Sequence, residues 1–186
     1  MAFRRARATA MIAAVGLLLA SVGSGAPTAA PADKIDAKVD TALGRFLKEI
    51  KGADGFLQKA EGVLVFAGVV KAGIGIGGEY GEGALRIGGQ SVDYYSIASG
   101  SIGFQFGAQK KDIIMVFLEA SALQKFRESD GWKAGVDGSV AVVEWGVGED
   151  INTVDIKDPV VGFVFSNKGL MYNLTLEGSK FTRLDK

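Results

Sequence analysis

The sequence predicts an α+β fold: an N-terminal amphipathic helix packed on a glycine-rich antiparallel β-sheet or partly closed barrel, with one further helix inserted. Three observations support this prediction. Apolar residues between positions 33 and 51 recur at steps of three and four, the period of a helix with one buried face. After Gly62, short runs rich in Val, Ile, Phe and Tyr alternate with glycine or polar residues, which is typical of strands. A second stretch of helical period, at 119–128, interrupts these strands.

The first predicted helix has a clear apolar stripe. Its members are Ile35, Val39, Leu43, Phe46, Leu47 and Ile50. Asp33 or the residue before it is the expected N-terminal cap, because a short carboxylate accepts hydrogen bonds from the first free amides. Gly52 is the expected stop signal, and residues 53–60 are expected to form a second, shorter helix.

The predicted strands follow one another closely, as in an antiparallel sheet. They lie at 63–70, 74–80, 84–87, 94–98, 102–108, 113–117, 133–145, 153–156, 160–165 and 170–176. Two polar segments are typical of hairpin turns: Gln-Lys-Lys-Asp at 109–112 and Asn-Lys-Gly at 167–169.

The first 32 residues have the order of a secretory signal peptide. A cationic start with three arginines precedes an apolar run of about twelve residues, and small residues follow. We therefore predict an exported protein, periplasmic or secreted, whose residues 33–186 form a single domain. Loss of the three arginines leaves 18 basic against 21 acidic residues, so no excess of positive charge favours nucleic acid as a partner.

The composition removes many enzyme classes. The chain has no histidine and no cysteine, so imidazole ligands to metals, Ser/His/Asp and Cys/His nucleophiles and disulfides are all absent. The carboxylates Glu79 and Glu82 could form an acid/base pair for catalysis or a calcium site. We favour the interpretation that both are solvated turn residues. The sequence predicts a protein that acts without catalysis and without a cofactor or metal.

A glycine-rich segment at 69–89 contains one match to the dinucleotide fingerprint G-x-G-x-x-G, at Gly73, Gly75 and Gly78. A dinucleotide site needs these glycines to lead from a strand into a helix, whereas here they run into Glu-Tyr-Gly-Glu-Gly, which is a poor helix. We favour a structural role instead. Glycines at alternate positions of a strand allow strong curvature or the close approach of another backbone.

The same segment carries a resemblance to a known family. Residues 60–66, Ala-Glu-Gly-Val-Leu-Val-Phe, and 69–83, from Val-Val-Lys-Ala-Gly to Gly-Glu-Gly, resemble the signature of the SYLF domain, a lipid-binding module. Segments at 101–109, 168–170 and 176–178 fit the same pattern in the same order. The resemblance implies a non-enzymatic protein that binds lipid or a membrane surface. Asp93, Tyr94 and Tyr95 depart from the pattern, since a large aromatic such as Trp often stands there.

The expected contact surface is cationic. At about 100° per residue, four cations of the first helix fall within a sector of roughly 80°: Lys34, Lys38, Arg45 and Lys48. Such a ridge suits an anionic lipid headgroup, although it also suits the solvated side of a packed helix. Lys71 and the pair Lys110-Lys111 are further candidates beside glycine-rich turns, and a solvated hairpin tip is the simpler interpretation of that pair.

Two functions therefore remain open. The first is binding of anionic lipid or a membrane surface through these seven cations. The alternative is a structural or assembly protein of the cell envelope that binds another protein through its β surface. Screening by salt should weaken the first kind of binding and leave an apolar protein interface unchanged.

Overall fold

The computed structural model describes residues 30–103, 109–143, 150–153, 156–166, 169–170 and 175–186. Residues 1–29 of the predicted signal peptide lie outside this part of the chain. So do parts of the predicted strands at 102–108, 133–145, 153–156 and 170–176, and the first two residues of the turn at 167–169.

Three α-helices lie where helical periods predicted them: α1 (Ala32–Glu49), α2 (Ala53–Leu57) and α3 (Ala120–Glu128). The predicted cap at Asp33 is wrong. Pro31 precedes the helix, and its carbonyl accepts hydrogen bonds from the amides of Lys34 and Ile35 at 3.1 and 3.2 Å. Its φ of −55° lies in the range that the proline ring imposes. Gly52 separates α1 from α2 with a left-handed φ of 81°.

The strands form one curled, half-barrel sheet. They are β1 (Gly62–Ile87), β2 (Gln90–Gly103), β3 (Gln109–Phe117), β4 (Trp132–Lys133), β5 (Ala141–Val142), β6 (Val160–Ser166), β7 (Gly169–Leu170) and β8 (Lys180–Leu184). Their order is β4-β8-β2-β1-β3-β6-β5, with β7 also paired to β6. The β5–β6 pair is parallel, and the other described pairs are antiparallel.

One long strand replaces the three predicted between 63 and 87. The first part of β1 pairs with β3, and the part from Gly75 to Ile87 pairs with β2. The fingerprint glycines thus lie in or beside a strand ladder, and strand rather than helix follows Gly78. The segment lacks the strand-to-helix geometry that a dinucleotide site requires.

Glycine has a structural role at two later positions of β1, Gly81 and Gly83, while the role predicted for Gly73 and Gly75 stays a prediction. A Cβ placed on Gly83 would lie 2.0 Å from the carbonyl oxygen of Val65, and one on Gly81 would lie 2.7 Å from Cγ2 of Val69. The two halves of β1 therefore approach each other closely. Only glycine leaves room for this approach. Glycine in a strand also permits a tight bend, which is consistent with the curl of the sheet.

The sheet has a hydrophobic core on each face, as the alternation of a strand dictates. On β3, Ile113, Met115 and Phe117 join the cluster that includes α3, while Ile114 and Val116 join the cluster beneath α1 and α2. No helix in the described ranges is both long and apolar enough to cross a membrane.

Other sequence predictions for the C-terminal half were less accurate. In place of a strand over 133–145, two short strands flank a turn at 135–137, where Gly135 has a φ of 84°. Ile151–Thr153 is a 3-10 helix at the start of the strand predicted over 153–156. Strand β8 was not predicted. The strand predicted at 160–165 is confirmed as β6.

Candidate functional site

The candidate site begins with the way α1 is anchored. Its buried residues are Ile35, Val39, Ala42 and Phe46. Phe46 is fully buried, and its ring lies 4.8 Å from that of Phe163 and 6.0 Å from that of Phe165. Burial of such a stripe fixes the rotation of the helix, so the charges on its two flanks face known parts of the sheet.

The acidic flank of α1 is held by polar contacts. Asp36 accepts hydrogen bonds from Ser91 Oγ at 2.6 Å and from Tyr94 Oη at 2.9 Å. Arg86 makes an ion pair with Asp40 at 2.7 Å and a longer one with Asp36 at 3.9 Å. These contacts tie the first turns of the helix to the β1–β2 hairpin.

Arg45, a member of the predicted ridge, also has a structural role. Its guanidinium is 2.7 Å from Glu49 and 3.7 Å from Asp112, and it lies over the ring of Phe165 at 5.3 Å. A cation engaged by two carboxylates and an aromatic face is poorly placed to meet a ligand. The structure therefore removes Arg45 from the candidate contact surface.

The remaining three cations of the ridge are available. Lys34, Lys38 and Lys48 are exposed, and within the described part of the chain their side chains make no hydrogen bond or ion pair. Lys110, on β3, has the same properties. We call these four residues the lysine set.

Lys38 and Lys110 lie on one groove between α1 and the sheet, with a volume of about 510 Å³. We call it the α1–β3 groove. Its other lining residues are Ala37, Thr41, Ala42, Ala67, Gly68 and Asp112. The structure thus brings together two lysines that are far apart in sequence, whereas Lys34 and Lys48 lie outside the groove lining.

A β-bulge shapes this groove. The register of β1 on β3 shifts between Phe66 and Val69, so Ala67 and Gly68 both stand opposite Asp112. Gly68 has a φ of 73°, and its amide donates to Asp112 Oδ1 at 2.7 Å. Asp112 therefore fixes the bulge and lies near Arg45, and its carboxylate lines the groove together with the two cations Lys38 and Lys110.

Lys110 and Lys111 do not form the predicted hairpin tip. Both lie in β3, paired with Val70 and Val69, so their side chains point to opposite faces of the sheet. Lys111 makes a 2.7 Å ion pair with Glu79, which is buried rather than solvated as the sequence suggested.

Lys71 follows Val70 in β1 and so lies on the face opposite Lys110. Lys71 and Lys111 are therefore separated from the α1–β3 groove.

Glu82 is also a structural carboxylate rather than a solvated turn residue. It accepts hydrogen bonds from the backbone amide of Ala30 at 2.8 Å and from Tyr80 Oη at 3.0 Å. Burial raises the pKa of Tyr80, and the hydrogen bond to Glu82 raises this pKa further. The contact with Ala30 places the residues just before α1 against the sheet.

Sequence reasoning missed one polar cluster, around Asp93. This carboxylate is buried and interacts with Arg127 Nε at 3.1 Å and with Arg183 Nη2. The alternation of β2 was a usable signal, because it places Asp93 on the same face as Tyr95 and Ile97. A carboxylate on an apolar face needs cationic partners.

The C-terminal half of the chain is similar to a known protein family. Residues 98–186 match the model of the family described as "Ysc84: Las17-binding protein actin regulator". This is the SYLF domain family, so the match confirms the resemblance over those residues. The search of curated proteins gave no match.

Proposed function

We propose, from the premise that residues 98–186 carry the signature of the SYLF family, that this chain is an exported protein that binds anionic lipid or a membrane surface without catalysis. The single observation that supports this most directly is the lysine set, four exposed cations without partners among the described residues. The export step rests on the signal-peptide pattern at the start of the sequence.

Electrostatic attraction is the first step of the proposed mechanism. Each lysine held near an anionic membrane contributes about 1 kcal/mol, and the effect falls off within a Debye length of about 8 Å at physiological salt. The predicted mature chain has a small negative net charge, so attraction must act through this local surface. The α1–β3 groove then offers two lysines to one phosphate group.

Contact with apolar side chains is the second step. Val70 is paired with Lys110 in the strand ladder and is 38% exposed, so an apolar group lies beside a groove lysine. Partial burial of such a group at the lipid interface adds a contribution that salt does not screen. The combination of cations and apolar groups is common to proteins that lie on membrane surfaces.

The decisive experiment is sedimentation of the purified protein with anionic and neutral liposomes at low and high salt. The test variant is Lys34→Gln/Lys38→Gln/Lys48→Gln. Its matched control is Lys125→Gln/Lys133→Gln/Lys180→Gln, which removes the same charge from exposed positions elsewhere. At about 1 kcal/mol for Lys38 and less for the two lysines outside the groove, the test variant should bind anionic vesicles at least about tenfold more weakly, and the control should bind like the wild type.

Other outcomes would count against the proposal. Equal loss of binding in both variants would show that total charge, rather than the lysine set, governs association. The absence of binding to any vesicle would exclude a membrane surface as the partner.

A second candidate is a structural or assembly protein of the envelope that binds another protein through its β surface. The description of the matched family names a protein-binding actin regulator, and Tyr80 and Val92 on β1 and β2 are large exposed side chains, 42% and 43% accessible. Binding to an envelope protein that survives high salt and is lost in Tyr80→Ser/Val92→Ser would favour this candidate. Salt-sensitive binding to liposomes that is unchanged in that variant would oppose it.

A further inference from the structure

A second pocket lies between α3 and β8, associated with the core cluster on the sheet face away from α1. We call it the α3–β8 pocket. It has a volume of about 330 Å³ and is lined by Ala120, Leu123, Gln124, Arg127, Glu128 and Arg183. This volume is at the lower end of the range for small-molecule sites. None of these residues belongs to the lysine set.

Two arginine side chains that line this pocket are held in place by one buried carboxylate. Asp93, whose side chain is only 3% exposed, interacts with Arg127 through one carboxylate oxygen and with Arg183 through the other. The register of β2 on β8 places Tyr95 opposite Arg183, so Asp93 and Arg183 share one face of the sheet. A buried carboxylate between two arginines orients both of them and neutralises one of their charges.

Both arginines keep hydrogen-bond donors free for a ligand. Their side chains are 41% and 57% exposed, and a guanidinium has five N–H donors, of which Asp93 engages few. Together with Asp93 they leave one positive charge. That charge, presented by two planar groups, suits a monoanion with two free oxygens.

The pocket also has an acidic component. Glu128 lines it, and one of its carboxylate oxygens accepts a hydrogen bond from Gln124 Nε2 at 2.7 Å. The second oxygen and the amide oxygen of Gln124 remain acceptors. Counting Asp93, Arg127, Arg183 and Glu128 together, the local charge is zero, so this pocket offers no net attraction to a polyanion.

We propose that the α3–β8 pocket binds a zwitterion the size of a lipid headgroup, with its phosphodiester anion on Arg127 and Arg183 and its ammonium group on Glu128. This chemistry is shared by a free glycerophosphoethanolamine and by the headgroup of phosphatidylethanolamine in a membrane. The α3–β8 pocket therefore differs from the α1–β3 groove in selecting a neutral ligand rather than an anionic surface.

The test is calorimetric titration of the purified protein with glycerophosphoethanolamine and with glycerophosphoglycerol, which lacks the ammonium group. The wild type should bind the first at least tenfold more tightly. Glu128→Gln should remove this preference, because the ammonium group loses its partner. Lys125→Gln, on the same helix but outside the pocket lining, should leave both affinities unchanged.

A second variant tests the arginines without leaving a buried charge unpaired. Asp93→Asn/Arg183→Gln removes one charge of each sign, and it should weaken binding of both compounds at least tenfold while circular dichroism confirms the fold. Lack of saturable binding by glycerophosphoethanolamine would overturn the proposal. So would unchanged affinity in the folded double variant, or a preference that persists in Glu128→Gln.

Neutral vesicles distinguish the two sources of the ligand. Stronger sedimentation with vesicles containing phosphatidylethanolamine than with pure phosphatidylcholine would identify the membrane headgroup, whereas binding of the soluble compound alone would identify a free zwitterion. Either result supports the pocket. Because the vesicles carry no net charge, Lys34→Gln/Lys38→Gln/Lys48→Gln should behave like the wild type here, so failure of the lysine surface would be seen separately.

Discussion

The two flanks of α1 carry charges of opposite sign, and they are used differently. Asp36 and Asp40 on one flank are bonded to Arg86, Ser91 and Tyr94. On the other flank, Lys34, Lys38 and Lys48 have no partner among the described residues. The acidic flank therefore adds polar contacts to the apolar anchoring of the helix, whereas the basic flank is left exposed.

Arg45 shows that charge pattern alone cannot separate the two uses. By helical geometry it belongs to the basic flank, yet it bonds Glu49 and Asp112 and covers Phe165. The difference comes from β3 and β6, which supply partners near Arg45. A helical projection contains no information about those strands.

The largest expected effect comes from Phe46→Ala, which removes the anchor beneath both flanks. Because Phe46 is fully buried between aromatic rings, the free energy of unfolding should fall by about 3–5 kcal/mol. Urea denaturation measures this loss. Leu47→Ala is the control: Leu47 is 45% exposed, and its loss should cost less than about 1 kcal/mol. Similar costs for the two variants would mean that α1 is not anchored through Phe46.

The next largest effect tests the acidic flank. Arg86→Gln removes the ion pairs with Asp36 and Asp40, and because Arg86 is largely buried the expected loss of stability is about 1–3 kcal/mol. Lys48→Gln carries the same charge change on the basic flank and should alter stability by no more than about 0.5 kcal/mol. Denaturation curves that shift equally for both variants would contradict the division of roles between the flanks.

A smaller effect distinguishes positions within the lysine set. Lys38→Gln and Lys110→Gln should each weaken binding to anionic vesicles about fivefold, in line with about 1 kcal/mol per cation. Lys48→Gln should have less effect, because Lys48 does not line the α1–β3 groove. Liposome titrations of the three variants give the ranking. An equal loss for all three would favour a diffuse charged surface over a groove.

Local patterns in the sequence predicted the helices and the central strands well. The stripe of α1 was correct for Ile35, Val39 and Phe46, while Leu47 proved exposed because it lies at the margin of the stripe. The three predicted strands within β1 were separated at glycines. Glycine weakens a strand locally, but ladder bonds from β2 and β3 support this one along most of its length.

The surroundings of the candidate site were predicted only in part, because pairing across the sheet decides which charges have partners. Helical geometry predicted correctly that Lys34, Lys38 and Lys48 lie on an exposed flank of α1. The segment 109–112 looked like a turn because its end of β3 extends beyond the core and is polar. The ion pair of Lys111 with Glu79 and the arginines around Asp93 depend on contacts between residues distant in sequence. A local pattern contains no signal for such contacts.

The smallest expected effect is a pH dependence on the acidic flank. Burial raises the pKa of Tyr94, and its hydrogen bond to Asp36 and the negative charge there raise it further, while Ser91 and Arg86 act in the opposite direction. The folded state therefore holds the phenolic proton more tightly than the unfolded state. This contribution is fully present below pH 10, the ordinary pKa of tyrosine, and is lost as pH rises through the raised value.

Tyr94→Phe should thus lower stability at pH 8 slightly and show a smaller further loss between pH 9 and pH 11 than the wild type. Tyr80 and Tyr95, whose pKa values are also raised mainly by burial, keep part of the alkaline loss in the variant. Urea midpoints across this range measure the difference, and identical slopes for the two proteins would show that the Tyr94–Asp36 contact does not hold this flank.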